Sequence, residues 1–438
     1  MAGAVSYHSW GRVCPPAAHG VRLVARDRPL PAVGQPWLAR GNGRSYADSG
    51  LEPAGCMLDC RGLDRFIAFD AERGILRCEA GVLLDDVLQV IVPRGWFLPV
   101  TPGTRYVTVG GAIANDVHGK NHHRAGTFGR HLRAFELLRS DGSRLTCGPA
   151  ENPGWFAATI GGLGLTGLVS WAELALRRID SRGIDATCTR FETLDEFLAI
   201  ADGAVARHEY TVAWLDASPR RRVRVRGHFT WGDHVADGAG LAARRRRAGP
   251  AVPFAPPWSL VTPLTTRVFN TLYFHRQRKP VSQRRVDYEP FFYPLDGVRE
   301  WNRLYGRPGF AQYQCVVPRV AAADALPALL GRLGAAGAGS FLAVLKTFGD
   351  TASPGLLSFP RAGVTLAVDI PWRGEDTQRL FAALDAITLA AGGTVYAAKN
   401  GSASAACFRA STPALERFRG FVDPACSSAF WRAVEAAA

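Results

Sequence analysis

The stretch DVHGKNHHRAG, Asp116 to Gly126, gathers three histidines, a lysine and an asparagine within one short run. His118 and His122 stand four apart, a spacing that on a helix would put both imidazoles on one face and suit a metal ion. Gly119 and Asn121 lie between them, and both are poor helix formers, so that geometry is not expected. No acidic or cysteine cluster nearby supplies further ligands, and no metal is expected. The chain also lacks a nucleophile elbow, which removes the usual basis for a serine or cysteine hydrolase. What remains is a polar wall facing a ligand, and the surrounding sequence must say which.

Three glycine-rich segments surround the question. LARGNGRSYADSG follows the strand-like PWLA, and its Gly41 and Gly43 would let successive backbone N–H groups converge on a phosphate. It is not a Rossmann fingerprint, because Tyr46 stands where the third glycine belongs and a polar turn follows. TPGTRYVTVGGAIAND offers Gly103 and the pair Gly110-Gly111 followed by small residues, and TIGGLGLTGLVSWAEL offers Gly161, Gly162, Gly164 and Gly167. Small side chains over such lengths let backbone approach a large flat ligand. Together the three suit an extended dinucleotide.

These segments need elements to hold them. From Trp37 to Val169 the pattern is short strands separated by glycine turns. CMLDC, RFIAFD and ILRCEAG read as strands, and LLDDVLQVIVPRG as a helix ending at Gly95. AFELLRSDGSRLTC reads as a hairpin around Asp141-Gly142, and NPGWFAATIGG as a helix opening at Asn152 and Pro153. Near Ile179 the texture changes. From there to about residue 395, arginine-rich strands accompany two helical stretches, ADALPALLGRLGAAG and DTQRLFAALDAITLAAGG. RAGPAVPFAPPWSLVTPLTT reads as a long surface loop, expected to be mobile. VDPACSSAFWRAVEAAA closes the chain as a helix.

The bulk numbers bound the class. A chain of 438 residues exceeds one ordinary domain, and 47% hydrophobic with 21% charged residues reads as soluble and globular. No apolar run approaches the ~20 residues of a membrane span, and the N-terminus lacks the pattern of a signal peptide. Nine scattered cysteines without CxxC pairing fit reduced thiols in a cytoplasmic protein. Cys56 and Cys60 are expected in the core. A net charge of +14 implies attraction to something acidic. It concentrates in Arg220, Arg221, Arg222, Arg224 and Arg226, in Arg244 to Arg247, and in Arg276, Arg278, Lys279, Arg284 and Arg285. The first block alternates with valine and reads as a strand with one basic face.

The motifs ARGNGRSYADS, PGTRYVTVGGAIANDVHGKNHHRAGTFGRHLR, GGLGLTGL, YTVAWLDA, FYPLDGVREWNRLYGRPGFAQYQCVVP, LKTFGD, LLSFPRAGVTLAVDIP and GGTVYAAK run in order over nearly the full chain. In them the sequence resembles the flavoprotein oxidases of the vanillyl-alcohol oxidase type, and within those the decaprenyl-phosphoryl-β-D-ribose 2-oxidase group. The resemblance implies an α+β, two-lobed flavoprotein. Residues 1–179, with a C-terminal return over 394–438, would form the FAD-binding α+β domain. Residues 180–393 would form a substrate domain built on an antiparallel sheet flanked by helices.

By the same resemblance, Ala39, Arg40, Gly41, Asn42, Gly43, Arg44, Ser45, Tyr46, Ala47, Asp48 and Ser49 would form the pyrophosphate loop of FAD. Gly103, Thr108, Val109, Gly110, Gly111, Asn115, Asp116, Val117, His118 and Gly167 would continue the site, and Tyr396 would reach it from the C-terminal segment. Some relatives tether FAD through a histidine near Arg44 and Ser45. None is there, so non-covalent FAD is expected. Alcohol oxidation by a flavin needs a base for the hydroxyl proton. Lys399 is the first candidate, as base or as charge partner, because partial burial beside the cofactor lowers a lysine pKa. His118 and Lys120 would lie at the cofactor's edge, and Gln314 and Lys346 would line the substrate pocket. Trp214 reads equally as core or pocket wall, and His122 and His123 as structural.

Three departures bear on the substrate. The stretch between Trp10 and Arg40 is shorter than in relatives, which carry asparagine and cysteine where Thr365 and Ala367 stand. NGSASAACFRA after Lys399 also differs. The reading is oxidation of a secondary sugar hydroxyl, the 2-hydroxyl of a polyprenyl-phosphoryl pentofuranose, as the oxidative half of an epimerisation. A separate NAD(P)H-dependent ketoreductase would complete it, with a cytoplasmic location and peripheral contact at the inner face of an anionic membrane. The alternative enzyme oxidises a soluble nucleoside or sugar phosphate. A non-catalytic lipid- or nucleic-acid-binding protein has the charge alone in its favour, and no nucleic-acid partner is expected.

Overall fold

Two antiparallel sheets frame the fold in the computed structural model, which describes residues 6–219, 225–236, 240–242 and 249–437. The smaller has five strands in the order Phe66–Asp70, Ile75–Glu79, Leu168–Ala175, Leu132–Leu138 and Arg144–Cys147. The helix Leu84–Ile91 packs there through Leu84, Val87, Leu88 and Ile91, an i, i+3, i+4, i+7 stripe. A 3-10 turn and left-handed Gly95 end it, as its glycine predicts. Beside this unit, Gly20–Arg22, Cys56–Asp59 and Trp37–Arg40 form a parallel three-stranded sheet, so the shortened N-terminal stretch retains a strand. Cys56 and Cys60 are buried with Trp37 and Leu58.

The larger sheet has eight strands, antiparallel throughout. Their order is Val281–Asp287, Gly183–Phe191, Gly227–His234, Tyr210–Leu215, Ala343–Phe348, Gly363–Pro371, Phe310–Val317 and Thr394–Val395. One face is apolar. Ala311, Tyr313, Cys315 and Val317 alternate along one strand, and Val364, Leu366, Val368 and Ile370 along its neighbour. Leu326, Leu329 and Leu333 of the helix Ala322–Ala335 and Leu380, Phe381 and Leu384 of the helix Glu375–Ala390 join the same core. A period of two leaves the intervening residues to the opposite face.

Between residues 180 and 395 the structure adds two long helices and the short Tyr288–Phe292 to the two expected. Leu194–Arg207 starts at Thr193, whose side chain accepts from the Glu196 N–H. Pro263–His275 occupies the end of the supposed loop, with a Thr262/Thr265 capping box and proline at the start. Its periodicity is hard to read because its buried stripe includes Thr266 and Asn270. Arg226 departs from the basic-strand expectation. It is buried, ion-paired to Asp216 at 2.8 Å and placed over the Phe274 ring. Arg220, Arg221, Arg222, Arg224 and Arg244 to Arg247 lie outside the described residues. No helix among the described residues is long and apolar enough to cross a membrane.

Candidate active site

The inner face of the large sheet carries a lattice of side chains fixed by register. Trp214 pairs with Val344, Val344 with Ala367, and Ala367 with Gln314, giving one row across four strands. Lys346, Thr365 and Val316 form the next row on one side. Asp369 and Gln312 pair directly on the other side. A one-residue slip in any strand would turn its contribution into the helical core. Trp214, Val344, Ala367, Gln314, Lys346 and Gln312 all line a cavity of about 1590 Å³. That exceeds the ~300–1,000 Å³ of an ordinary small-ligand pocket and has room for a dinucleotide plus a substrate.

Two segments close over this lattice. The short helix Ala397–Asn400 carries Lys399, and Asn400 Oδ1 accepts the Gln314 N–H at 3.0 Å. Asp48 accepts from the Ser402 N–H at 2.9 Å and from the Ser402 hydroxyl, tying this segment to the Ala39–Ser49 loop. The Lys399 ammonium sits 3.6 Å from the centre of the Tyr46 ring. Opposite lies the 115–123 loop, held to the sheet by the Thr211 N–H donating to the Lys120 carbonyl at 2.8 Å. Tyr396 donates its hydroxyl to the Asn115 carbonyl at 2.9 Å and stacks on Phe359. His118 packs against Phe348, Phe359 and Tyr396, and its Nε2 lies 3.2 Å from Gln314 Nε2.

The electrostatics follow from burial. Desolvation holds His118 well below the ordinary histidine range, with Lys346 adding repulsion, so its imidazole is neutral at pH 7. Lys120 falls to about 7 by burial and the charge of Lys346, while donating to the Phe291 carbonyl at 2.6 Å. Lys346 falls to about 8 by burial. Lys399 is lowered by burial, opposed by Asp369 and assisted by Lys346. Asp369 is fully buried and raised by desolvation. It accepts from the Gln312 amide, and its Oδ2 has no partner. Three lysines and one carboxyl thus share the inner end of the cavity, and burial moves each toward its neutral form.

The opposite end is a backbone cradle. A Cβ at Gly41 would lie 2.2 Å from Thr108 Oγ1, so the two loops meet without side-chain clearance. Buried Arg44 Nε and Ser49 Oγ have no hydrogen-bond partner among the described residues although both residues line the cavity, and Arg44 stacks over Trp10. A polar ligand running along Ala39–Ser49 would satisfy both, and the anionic pyrophosphate of FAD fits the arginine.

The cavity gathers most of the residues singled out in the sequence. All five expected catalytic residues line it, with Trp214 as wall rather than core. Of the expected cofactor residues, Asp48, Val109 and Asp116 do not. Asp48 pins Ser402. Val109 is buried in the core of the five-stranded unit, inside the helix Val109–Ala114 that replaces the expected glycine loop. Asp116 accepts from the Gly129 N–H at 2.8 Å and from the Ser353 and Ser358 hydroxyls at 2.5 Å. These two carboxylates are braces between segments. His122 packs on Phe348, and a His123 ring nitrogen lies 2.9 Å from the His208 carbonyl. No cluster of three His, Cys, Asp or Glu among the described residues could hold a metal. Gln312 and Asp369 were missed. The i, i+2 relation of Gln312 to Gln314, and of Asp369 to Ala367, was the available signal.

Comparisons with known proteins show the family. Residues 28–148 match the family model described as an FAD binding domain. The chain is 34% identical to decaprenylphosphoryl-beta-D-ribose oxidase of Mycolicibacterium smegmatis, over 95% of this chain and 94% of that protein. It is 35% identical to an uncharacterized protein of Streptomyces coelicolor over 78% of this chain and 96% of the relative. Human Delta(24)-sterol reductase is 33% identical over only 28% of this chain.

Proposed function

The chain belongs to the FAD-dependent oxidase family that includes decaprenylphosphoryl-beta-D-ribose oxidase, and from that premise we propose that it oxidises the 2-hydroxyl of a polyprenyl-phosphoryl pentofuranose to a ketone. FAD, when bound, supplies the two-electron acceptor for the hydride leaving the carbinol carbon. The tether histidine of some relatives is absent at Arg44 and Ser45, which supports non-covalent attachment. The backbone of Ala39–Ser49 and the stretch from Gly103 to His118 would hold the cofactor, and Tyr396 braces the loop through Asn115.

Lys399 in its neutral form takes the hydroxyl proton as the carbon–hydrogen bond breaks, so the C–O bond becomes a carbonyl and charge balances. Burial keeps that neutral form accessible near pH 7. Gln314 and neutral His118 orient the sugar, and Lys346 supplies positive charge for its phosphate, joined by Lys120 where it is protonated. The observation carrying this reading is one buried lysine, set between the cofactor cradle and a register-fixed sheet face.

A ketone product calls for a separate NAD(P)H-dependent ketoreductase to complete the epimerisation. A lipid-linked substrate calls for a cytoplasmic enzyme with peripheral contact at the inner face of the membrane. Thr365 and Ala367, small residues at the centre of the lattice, favour a second reading in which a soluble nucleoside or sugar phosphate is oxidised. Anaerobic flavin bleaching separates the two. Bleaching by polyprenyl-phosphoryl ribose is expected, and bleaching by soluble compounds alone would install the second reading. A purified chain unable to take up FAD would remove both.

A further inference from the structure

The helix Pro263–His275 is inside out. Its buried stripe is Thr266, Asn270 and Phe274, and two of the three are polar. Their donors find partners within the protein, while the buried Asn270 Oδ1 finds none among the described residues. The Thr266 hydroxyl donates to the Thr262 carbonyl at 2.7 Å, and Asn270 Nδ2 donates to the Ser340 carbonyl at 2.9 Å. Two positions further round, Leu264, Val268 and Leu272 repeat every fourth residue on the outer face and are 71%, 51% and 68% exposed. The chain leading into the helix adds Phe254, Trp258 and Leu260, all exposed. An amphipathic helix normally buries such a stripe, and a contiguous exposed apolar patch marks a contact surface.

Charge selects the partner. No Asp or Glu occurs between Asp237 and Asp287, whereas Arg267, Arg276, Arg278, Lys279, Arg284 and Arg285 all do. Arg267, Arg276, Arg278 and Lys279 are exposed on the helix or just beyond its end. Apolar residues on one face with a cationic fringe is the pattern of a helix that lies in the interface of an anionic bilayer. Position reinforces the choice. Phe269 and Tyr273 of the same helix, with Arg276 after it, line the cavity that holds Lys399. One side of the helix is therefore cavity wall, and the other is free.

We propose that Pro263–His275, with the Phe254–Leu260 approach, seats the enzyme on an anionic lipid surface and holds the cavity against the bilayer, where a polyprenyl-phosphoryl sugar resides. This inference rests on the lipid-linked substrate reading above and names the surface that reading requires.

The experiment is co-sedimentation of the FAD-loaded protein with vesicles of phosphatidylcholine, alone or with added phosphatidylglycerol. The wild type is expected to bind the mixed vesicles at least tenfold better than the neutral ones. The triple variant Leu264→Gln, Val268→Gln, Leu272→Gln is expected to lose at least tenfold. Arg278→Gln with Lys279→Gln is expected to lose severalfold. Val320→Gln, which removes a 91% exposed valine elsewhere, is expected to change nothing. Retained FAD and an unchanged Tm show that each variant is folded. Failure of the wild type to bind, or equal binding by the triple variant, overturns the proposal. Wild-type self-association abolished by the triple variant, without vesicle binding, reassigns the face to a second copy and also overturns it. Flavin bleaching by a short-chain, water-soluble prenyl-phosphoryl ribose tests the lipid-linked reading and needs no vesicles. Bleaching without vesicle binding therefore sinks the docking surface alone, and vesicle binding without bleaching sinks the oxidase reading alone.

Discussion

Along Ala39–Ser49 and Val107–Gly111 the cavity is lined largely by backbone and small side chains. Across Tyr210–Leu215, Ala343–Phe348, Gly363–Pro371 and Phe310–Val317 it is lined by side chains that point inward on alternate residues. The first wall works by letting two loops approach closely, so its demands are steric and fall on consecutive residues. The second works by placing a few polar groups on a stiff lattice, so its demands are electrostatic and fall on residues far apart in the chain. Five groups shifted by burial, His118, Lys120, Lys346, Lys399 and Asp369, gather on the second wall and the segments that close on it, while burial also shifts Arg40 and Tyr46 on the first. Such clustering accompanies catalytic sites.

If the division holds, Lys399→Ala should break the chemistry and spare the cradle. Loss of a general base costs ~10²–10⁴-fold, and we expect the anaerobic flavin-reduction rate to fall ~10³-fold with FAD content unchanged. A reduction rate within threefold of wild type would remove Lys399 as the base. Release of FAD by the variant would show that the two walls are not independent.

Gly41→Ala should do the reverse. The added methyl would meet Thr108 Oγ1 at 2.2 Å, and overpacking of this kind costs ~1–3 kcal/mol. The purified variant should carry several-fold less FAD and melt lower. Molecules that do retain FAD should reduce it at the wild-type rate. Full FAD content with an unchanged Tm would mean that the loops part freely and that the close approach is not required.

Asp369→Asn tests the second wall more gently. Asp369 holds the Lys399 proton by charge, while Gln312 can still donate to an asparagine oxygen. Removing the negative charge lowers the Lys399 pKa further. The rise of reduction rate with pH, which follows neutral Lys399, should move to lower pH, with a smaller effect on the rate at its plateau. An unmoved limb, or one displaced to higher pH, would exclude Asp369 as a positioning residue for Lys399.

The two walls also differ in how readable they were. Gly41, Gly43, Gly110 and Gly111 sit in short local runs, and a local run can be seen without knowing the fold. The pairing of Gln312 with Asp369 spans strands from distant parts of the chain, and only register brings them together. Alternation did point to Gln312 beside Gln314 and to Asp369 beside Ala367, but nothing local identifies Gln312 and Asp369 as partners. Asp48 and Asp116 misled for the opposite reason. They stand inside ligand-facing loops, yet their carboxylates turn toward Ser402 and toward Ser353 and Ser358. A motif fixes where the backbone runs and leaves open which way a side chain turns. The helix Pro263–His275 escaped notice because Thr266 and Asn270 interrupt its buried stripe while apolar residues occupy its outer side too, so no single apolar face stands out.

The smallest expected effect falls on Gly103, which the glycine reading placed beside the cofactor. A Cβ there would meet nothing within 4 Å, and its backbone is not left-handed. Gly103 therefore lines the cavity without the steric demand that Gly41 faces, and two glycines equal in the sequence become unequal in the structure. Gly103→Ala should shift stability by no more than ~0.5 kcal/mol and leave FAD content and reduction rate unchanged. Loss of FAD on adding this one methyl would show that the cofactor, rather than the protein, fills the space above Gly103. The backbone-led wall would then extend as far as the 103–106 turn.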